Sequence, residues 1–227
     1  MRIEYTTTEQ LIHEAPREAP VIIAMPATDL ELARRCAELM ARRAGAPGLI
    51  LVVMDEQRLG YIESANRAFR HSDSHYFIYV AQDAFAGRLW LRFALHQIEK
   101  QQKDMLAFND GKWHGLLASF GMVRRSWAQT NYGGSIFHSS YHSHFGDAEL
   151  TLLARAHDRL CFAPRSVLVE IDWDKDDKLV NDSDRKQFRQ RAKTLFEGRV
   201  SSDQYCQIFP KKPLPAPPST PDASGGR

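Results

Sequence analysis

Cysteine is scarce in this chain. Its three copies, Cys36, Cys161 and Cys206, are widely spaced and odd in number, which argues against a disulfide framework or a zinc ribbon. Reduced thiols are expected, two of them buried. Long apolar runs are also missing. No stretch approaches the roughly 20 residues that a membrane span requires, and Met1-Arg-Ile-Glu-Tyr-Thr lacks the apolar centre of a signal peptide. The expectation is a soluble cytoplasmic protein, with peripheral attachment at the inner face of the membrane left open. Nor does one sign of charge dominate. Against 28 Asp and Glu stand 30 Lys and Arg, a formal net charge of +2, so the field that nucleic-acid and anionic-membrane binders use is lacking. The usual phosphate cradles are absent too: no G-x-G-x-x-G follows the first apolar run, and no G-x-x-x-x-G-K-[ST] occurs. That argues against a dinucleotide oxidoreductase and a P-loop NTPase. A diphosphate ligand would need its charge met by a carboxylate-bound divalent cation or by Lys and Arg.

What is present is a regular alternation. The 227 residues suit one domain with a sizeable core and a tail. Residues 1–19 are polar and weakly patterned. Then come three continuous apolar runs, Val21–Met25, Leu49–Met54 and His75–Ala84, each long enough for a buried strand. Between them the periodicity is helical. Thr28-Asp-Leu-Glu31 has the spacing of a capping box and predicts a helix to about Arg43, closed by Gly45 and Pro47. Gly60–Phe69 places Ile62, Ala65 and Phe69 on one helical face, and Gly87 to about Lys100 gives another helix. Strands apolar on both faces and alternating with helices predict a parallel sheet covered on both sides. In such sheets ligands sit outside the carboxyl ends of the strands. Those ends carry Pro26-Ala-Thr28, Asp55-Glu56 and Gln82-Asp83.

The middle third changes character. Met105–Phe108 and Gly121–Arg124 are short strand-like pieces among Gly, Trp and His, so this part is expected to be loop-rich and antiparallel. A helix opens at Asp147 with acids in its first turn, where the dipole favours them. Ser166–Ile171 is one more strand, Asp172–Lys178 a charged loop, and Asp182–Glu197 a polar helix. The end, from Pro210, is too rich in proline to bury a core.

Asp83 is suited to a hard cation, being rigidly placed at a strand end, although capping of the following helix explains it equally well. His138, His142 and His144 beside Asp147 match no metal spacing, and a place beside a substrate is the preferred reading. Trp127, beside Arg124, Arg125 and Gln129, is the aromatic best placed to stack on a sugar ring, with core packing as its alternative.

In order and spacing, Asp55-Glu56, Gly60-Tyr-Ile-Glu-Ser-Ala-Asn66-Arg67, Ala81-Gln82-Asp83 and His144-Phe-Gly146-Asp147-Ala-Glu-Leu resemble the small GT-A glycosyltransferases of the family-2 kind. The resemblance covers about residues 20–172. It implies an α/β, Rossmann-like domain over residues 1–200. Within it a nucleotide-binding half spans about 20–104, an acceptor half about 105–172 and a C-terminal helix about 182–197, with a flexible tail over 201–227. It also implies transfer of a sugar from a nucleoside diphosphate sugar to a carbohydrate or lipid-linked acceptor, with anomeric inversion, in cell-surface polysaccharide synthesis. Pro26, Thr28, Asp55, Asn66, Arg67, Gln82 and Asp83 would then bind the nucleotide sugar, and Asp83 would hold Mg²⁺ or Mn²⁺. Asp147 would be the base that deprotonates the acceptor hydroxyl, and Trp127 and His144 would contact the acceptor. One departure stands out. Ala81 occupies the place of the family's first motif aspartate, so the cation would rest on one carboxylate and the diphosphate, or be replaced by Arg67, Arg124 or Lys112. The rival readings are a sugar-nucleotide pyrophosphorylase, for which a Gly- and Arg/Lys-rich phosphate loop is lacking, and a non-catalytic carbohydrate-binding or scaffold protein.

Overall fold

The structure, a computed structural model, describes residues 1–170 and 181–208. The expected charged loop at 172–178, and the tail from Pro210, lie outside the described residues.

The chain runs β1 (Arg2–Thr7), α1 (Gln10–His13), β2 (Arg17–Glu18), β3 (Val21–Ala27), α2 (Leu30–Arg43), β4 (Leu49–Met54), α3 (Tyr61–Arg70), β5 (Ser72–Asp73), β6 (Tyr76–Tyr79), β7 (Ala84–Ala86) and α4 (Trp90–Gln101). It continues through β8 (Met105–Asn109), β9 (Gly121–Arg124), α5 (Arg125–Ala128), α6 (Gly146–Ala156), β10 (Leu160–Glu170), α7 (Asp182–Lys193), α8 (Leu195–Gly198) and α9 (Ser202–Ile208). Eight strands form one sheet in the order β1-β4-β3-β6-β9-β8-β10-β7. The first four are mutually parallel, with Val21 opposite Tyr76 and Ile22 opposite Leu49. Strand β9 runs antiparallel to both β6 and β8. This is the α/β, mostly parallel sheet that the alternation of apolar runs implies, and it is GT-A-like, as the resemblance implies.

Period-2 alternation divides each central strand between two cores. Ile22, Ala24, Leu49, Leu51, Phe77 and Tyr79 face α3 and α6, while Ile23, Met25, Ile50, Val52 and Ile78 face α2 and α4. Every residue of β3 is buried, and each large aliphatic side chain removed from water there contributes about 1.5–3 kcal/mol.

Several local expectations are corrected. The N-terminus is an edge strand: Arg2–Thr7 pairs with β4, its pattern obscured because an edge strand buries only part of its surface. The cap of α2 is Asp29, whose carboxylate accepts from the Leu32 N–H at 3.0 Å. Thr28 stands one residue before the cap, its N–H donating to the Gln82 side chain. Residues Ser202–Ile208, within the expected tail, form α9, and Tyr205 packs against Phe188 and Phe196. The cysteines are free, Cys36 and Cys161 buried and Cys206 partly so, and burial pushes both buried thiols up to about 11.

Candidate active site

The carboxyl ends of β3, β4 and β6 meet at one edge of the sheet, as parallel pairing requires. Backbone bonds tie them together: the Asp55 N–H donates to the Ala27 carbonyl at 2.8 Å, and the Val80 N–H to the Ala24 carbonyl at 3.1 Å. The Gln82 side-chain oxygen accepts from the N–H groups of Thr28 and Asp29 at 2.8 and 2.9 Å, joining the end of β6 to the start of α2. The Asp55 carboxylate folds back on its own loop, accepting from Leu59 and Gly60 N–H groups at 2.8 Å each.

These ends floor a cleft of about 440 Å³, within the usual size of small-molecule sites. Pro26, Thr28, Asp55 and Gln82 line it, as do Ala81 and, from the loop before α3 and its first turn, Arg58, Tyr61 and Ser64. His142 and Ser143 complete the lining. The segment carrying them is pressed onto α3, since the Ile62 N–H donates to the His142 carbonyl at 3.0 Å. Gly60 permits this approach. Its φ is +91°, and a Cβ there would stand 2.5 Å from the His142 carbonyl oxygen.

Asp147 stands in the first turn of α6, two residues after Phe145, which is held left-handed at φ 70°. Burial raises the Asp147 carboxyl to about 6, against the lowering effect of the Ala148 and Asp147 N–H groups. The cause is an aromatic and aliphatic surround. A Cβ on Gly146 would collide with Ile62, and the Tyr61 and Tyr79 phenols both feel the Asp147 charge. Tyr61 joins the two acids. It lines the cleft, donates to the Val80 carbonyl at 3.2 Å, and has its phenol raised far above normal, first by burial and then by Asp147 and Asp83. Asp147 is not itself among the residues that line the cleft and is linked to it through Tyr61; a carboxyl near 6 can accept a proton from a hydroxyl at neutral pH.

Four of the seven residues expected at the nucleotide sugar thus line one cleft: Pro26, Thr28, Asp55 and Gln82. The other three lie elsewhere. Asn66 is buried, its side chain donating to the Phe137 carbonyl and accepting from the Phe137 N–H. Arg67 pairs with Glu63 and donates to the Thr8 carbonyl, tying α3 to the end of β1. Asp83, expected to bind the nucleotide sugar and a cation, is 1% exposed and is not among the residues that line the cleft. Trp127 lies beyond the far end of the sheet. Because β9 is antiparallel, Arg124 pairs with Tyr76 at the start of β6, and the following α5 packs Trp127 on the core there. The same register takes Arg124 away, to Glu99 and Asp104. Of the histidines, His142 rather than His144 faces the cleft; His144 is exposed and held through its backbone.

Arg58, Tyr61, Ser64 and Ser143 were not expected, whereas His142 belongs to the histidine-bearing segment expected beside a substrate. Tyr61 and Ser64 had a signal, standing one turn apart just after the Gly60 break.

The residues present do not fit a divalent cation. Ala81 supplies no ligand, Asp83 is buried, and among the described residues no three His, Cys, Asp or Glu side chains come together as a metal site.

No protein-family model and no curated protein matches the chain. Solved structures do. Staphylococcus aureus TarS superposes with a TM-score of 0.62 at 12% identity, covering 84% of this chain. Residues 1–349 of TarS in complex with UDP-GlcNAc give 0.57 at 11% identity, over 86% of this chain and 74% of that one. The mannosyltransferase PcManGT from Pyrobaculum calidifontis, in complex with GDP-Man and Mn²⁺, gives 0.52 at 12% identity, over 92% and 71%. At these identities the likeness is one of fold. The chain spans 42% of the length of the first TarS structure.

Proposed function

We propose that the protein is a glycosyltransferase that moves a sugar from a nucleoside diphosphate sugar to a hydroxyl of a carbohydrate or lipid-linked acceptor, with inversion, in the assembly of a surface polysaccharide. One observation carries the reading. A carboxyl raised to about 6 at the head of α6 shares Tyr61 with a cleft at the carboxyl ends of parallel strands. Neighbours of the same fold that hold UDP-GlcNAc or GDP-Man support a nucleotide-sugar donor.

In this reading the floor made by Pro26, Thr28, Asp55 and Gln82 receives the nucleotide. Asp147 accepts the acceptor's proton as its oxygen bonds to the anomeric carbon, typically worth about 10²–10⁴-fold in rate. The glycosyl–phosphate bond breaks, and the nucleoside diphosphate leaves with the electron pair. Its negative charge needs a partner. Since the donor set does not fit a cation, that role falls to Arg58, the arginine of the cleft wall, with His142 lining the same cleft.

The test is a screen of nucleoside diphosphate sugars for thermal stabilisation, with and without Mn²⁺. A ligand present at 100 times its Kd adds about 2.7 kcal/mol to the folded state. A donor should stabilise the protein to a similar extent in EDTA and in Mn²⁺. No shift with any nucleotide sugar, in either condition, would leave a non-catalytic scaffold as the better reading.

A further inference from the structure

The polar helix α7 lies late in the chain, outside every part of the sequence that lines the cleft. Its inner face nevertheless holds the segment on which the cleft wall and the acid Asp147 depend. Asp184, Phe188 and Arg191 stand at i, i+4 and i+7, one stripe of a helix. Each engages a different point of residues 142–149. The Asp184 carboxylate is 2% exposed. It accepts from the N–H groups of His142, Ser143 and His144 at 2.8, 2.8 and 2.9 Å. Phe188 stacks on Phe145, ring centres 4.9 Å apart. Arg191 grips the fully buried Glu149 with two bonds of 2.7 Å.

We infer that Asp184 is a positioning residue for the reaction: it fixes the strap His142–Phe145, and through it the placement of His142 in the cleft wall and of Asp147 at the head of α6. The inference rests on the transferase reading for its effect on turnover, but not for its effect on the strap. Three parallel N–H groups converging on one carboxylate form a small anion nest, which ties down backbone that would otherwise be an exposed polar loop. The strap has no regular structure of its own, so its conformation is set from both sides: by Asp184 on one, and by the Ile62 N–H, which donates to the His142 carbonyl, on the other. A shift of about 1 Å in a catalytic group can cost on the order of 10²-fold in rate. Loss of the nest is expected to act on that scale, whereas the floor residues that bind the donor are held by β3, β4 and β6.

The experiment compares the parent protein with Asp184→Asn, Asp184→Ser and, as a control on the outer face of α7, Lys186→Ala. Two readouts are taken. Hydrogen exchange should show the amides of His142, Ser143 and His144 losing protection in both Asp184 variants, with β3 and β4 unchanged. Turnover should fall by on the order of 10²-fold while the KM for the donor changes by no more than about threefold, with Lys186→Ala like the parent. A merely structural role would lower the melting temperature and leave kcat of the folded protein intact. Unchanged protection at 142–144 in folded Asp184→Asn overturns the inference, as does kcat within twofold of the parent. If the parent transfers no sugar at all, the transferase reading fails, and the exchange measurement alone decides whether Asp184 holds the strap.

Discussion

The two walls of the cleft are built on different principles. The floor at Pro26, Thr28, Asp55 and Gln82 is made by neighbouring strand ends, whose position follows from parallel pairing within residues 21–82. The other wall, with His142 and Ser143, comes from a strap with no regular structure, pinned by α7 some forty residues further along. The floor is rigid because its backbone bonds belong to the sheet. The strap is ordered only while remote side chains satisfy its amides, so substitutions in the floor should act on binding and those around the strap on stability and turnover.

The largest expected effect probes the strap end. Asp147→Asn should cut turnover by about 10²–10⁴-fold with donor affinity largely kept. Near-normal transfer by that variant would remove Asp147 from the role of base. Arg191→Met should follow, leaving the Glu149 carboxylate buried without its cation and destabilising the fold by about 3–5 kcal/mol. Chemical denaturation measures this, and a loss under about 1 kcal/mol would show that the Arg191–Glu149 pair does not hold α7 to α6.

Acidity gives a third test. The folded-state carboxyl of Asp147 lies near 6, above the ordinary 3.8 of an aspartate, so the unfolded chain gives up this proton more readily than the native one. The associated cost is absent below about pH 4, grows as pH rises towards 6, and is complete above it. Asp147→Asn should therefore stabilise the protein at pH 7.5 by roughly 2 kcal/mol, and not at pH 4. Activity of the parent should decline as pH falls through about 6, where the base becomes protonated. On the floor, Gln82→Ala removes the acceptor shared by the Thr28 and Asp29 N–H groups and should weaken nucleotide binding about tenfold, with kcat of the saturated enzyme little changed. The smallest effect is that of EDTA: titration calorimetry should give the same donor affinity in chelator as in Mn²⁺, while Arg58→Ala lowers it about tenfold. A requirement for Mn²⁺ in the parent would return Asp83 to the site.

Much of the floor was legible in the residues alone. Continuous apolar runs ending on Thr28, Asp55 and Gln82 carry their own positions, because a parallel sheet with short connections brings its carboxyl ends to one edge. The head of α6 was equally readable from acids in a first helical turn. The failures have a common cause. Asn66 and Arg67 stand on α3 in a familiar order, but the side-chain direction on a helix depends on what it packs against, and both turn to structural partners. Trp127 follows a strand whose direction was not fixed by its four residues, and the antiparallel register puts it at the wrong end. Asp184, Phe188 and Arg191 looked like parts of a polar helix, because a buried carboxylate and a buried guanidinium register as surface residues until their partners are known.

The sequence by itself therefore determined the alternation of strands and helices, the sheet, and the acids at its carboxyl edge, since hydrophobic period and strand-end chemistry are local properties. Only the tertiary structure decided that Asp83 is buried, that His142 rather than His144 lines the cleft, and that α7 holds the segment carrying His142 and Ser143. Each of those depends on a long-range pairing, and one residue of register or one turn of helix reverses it.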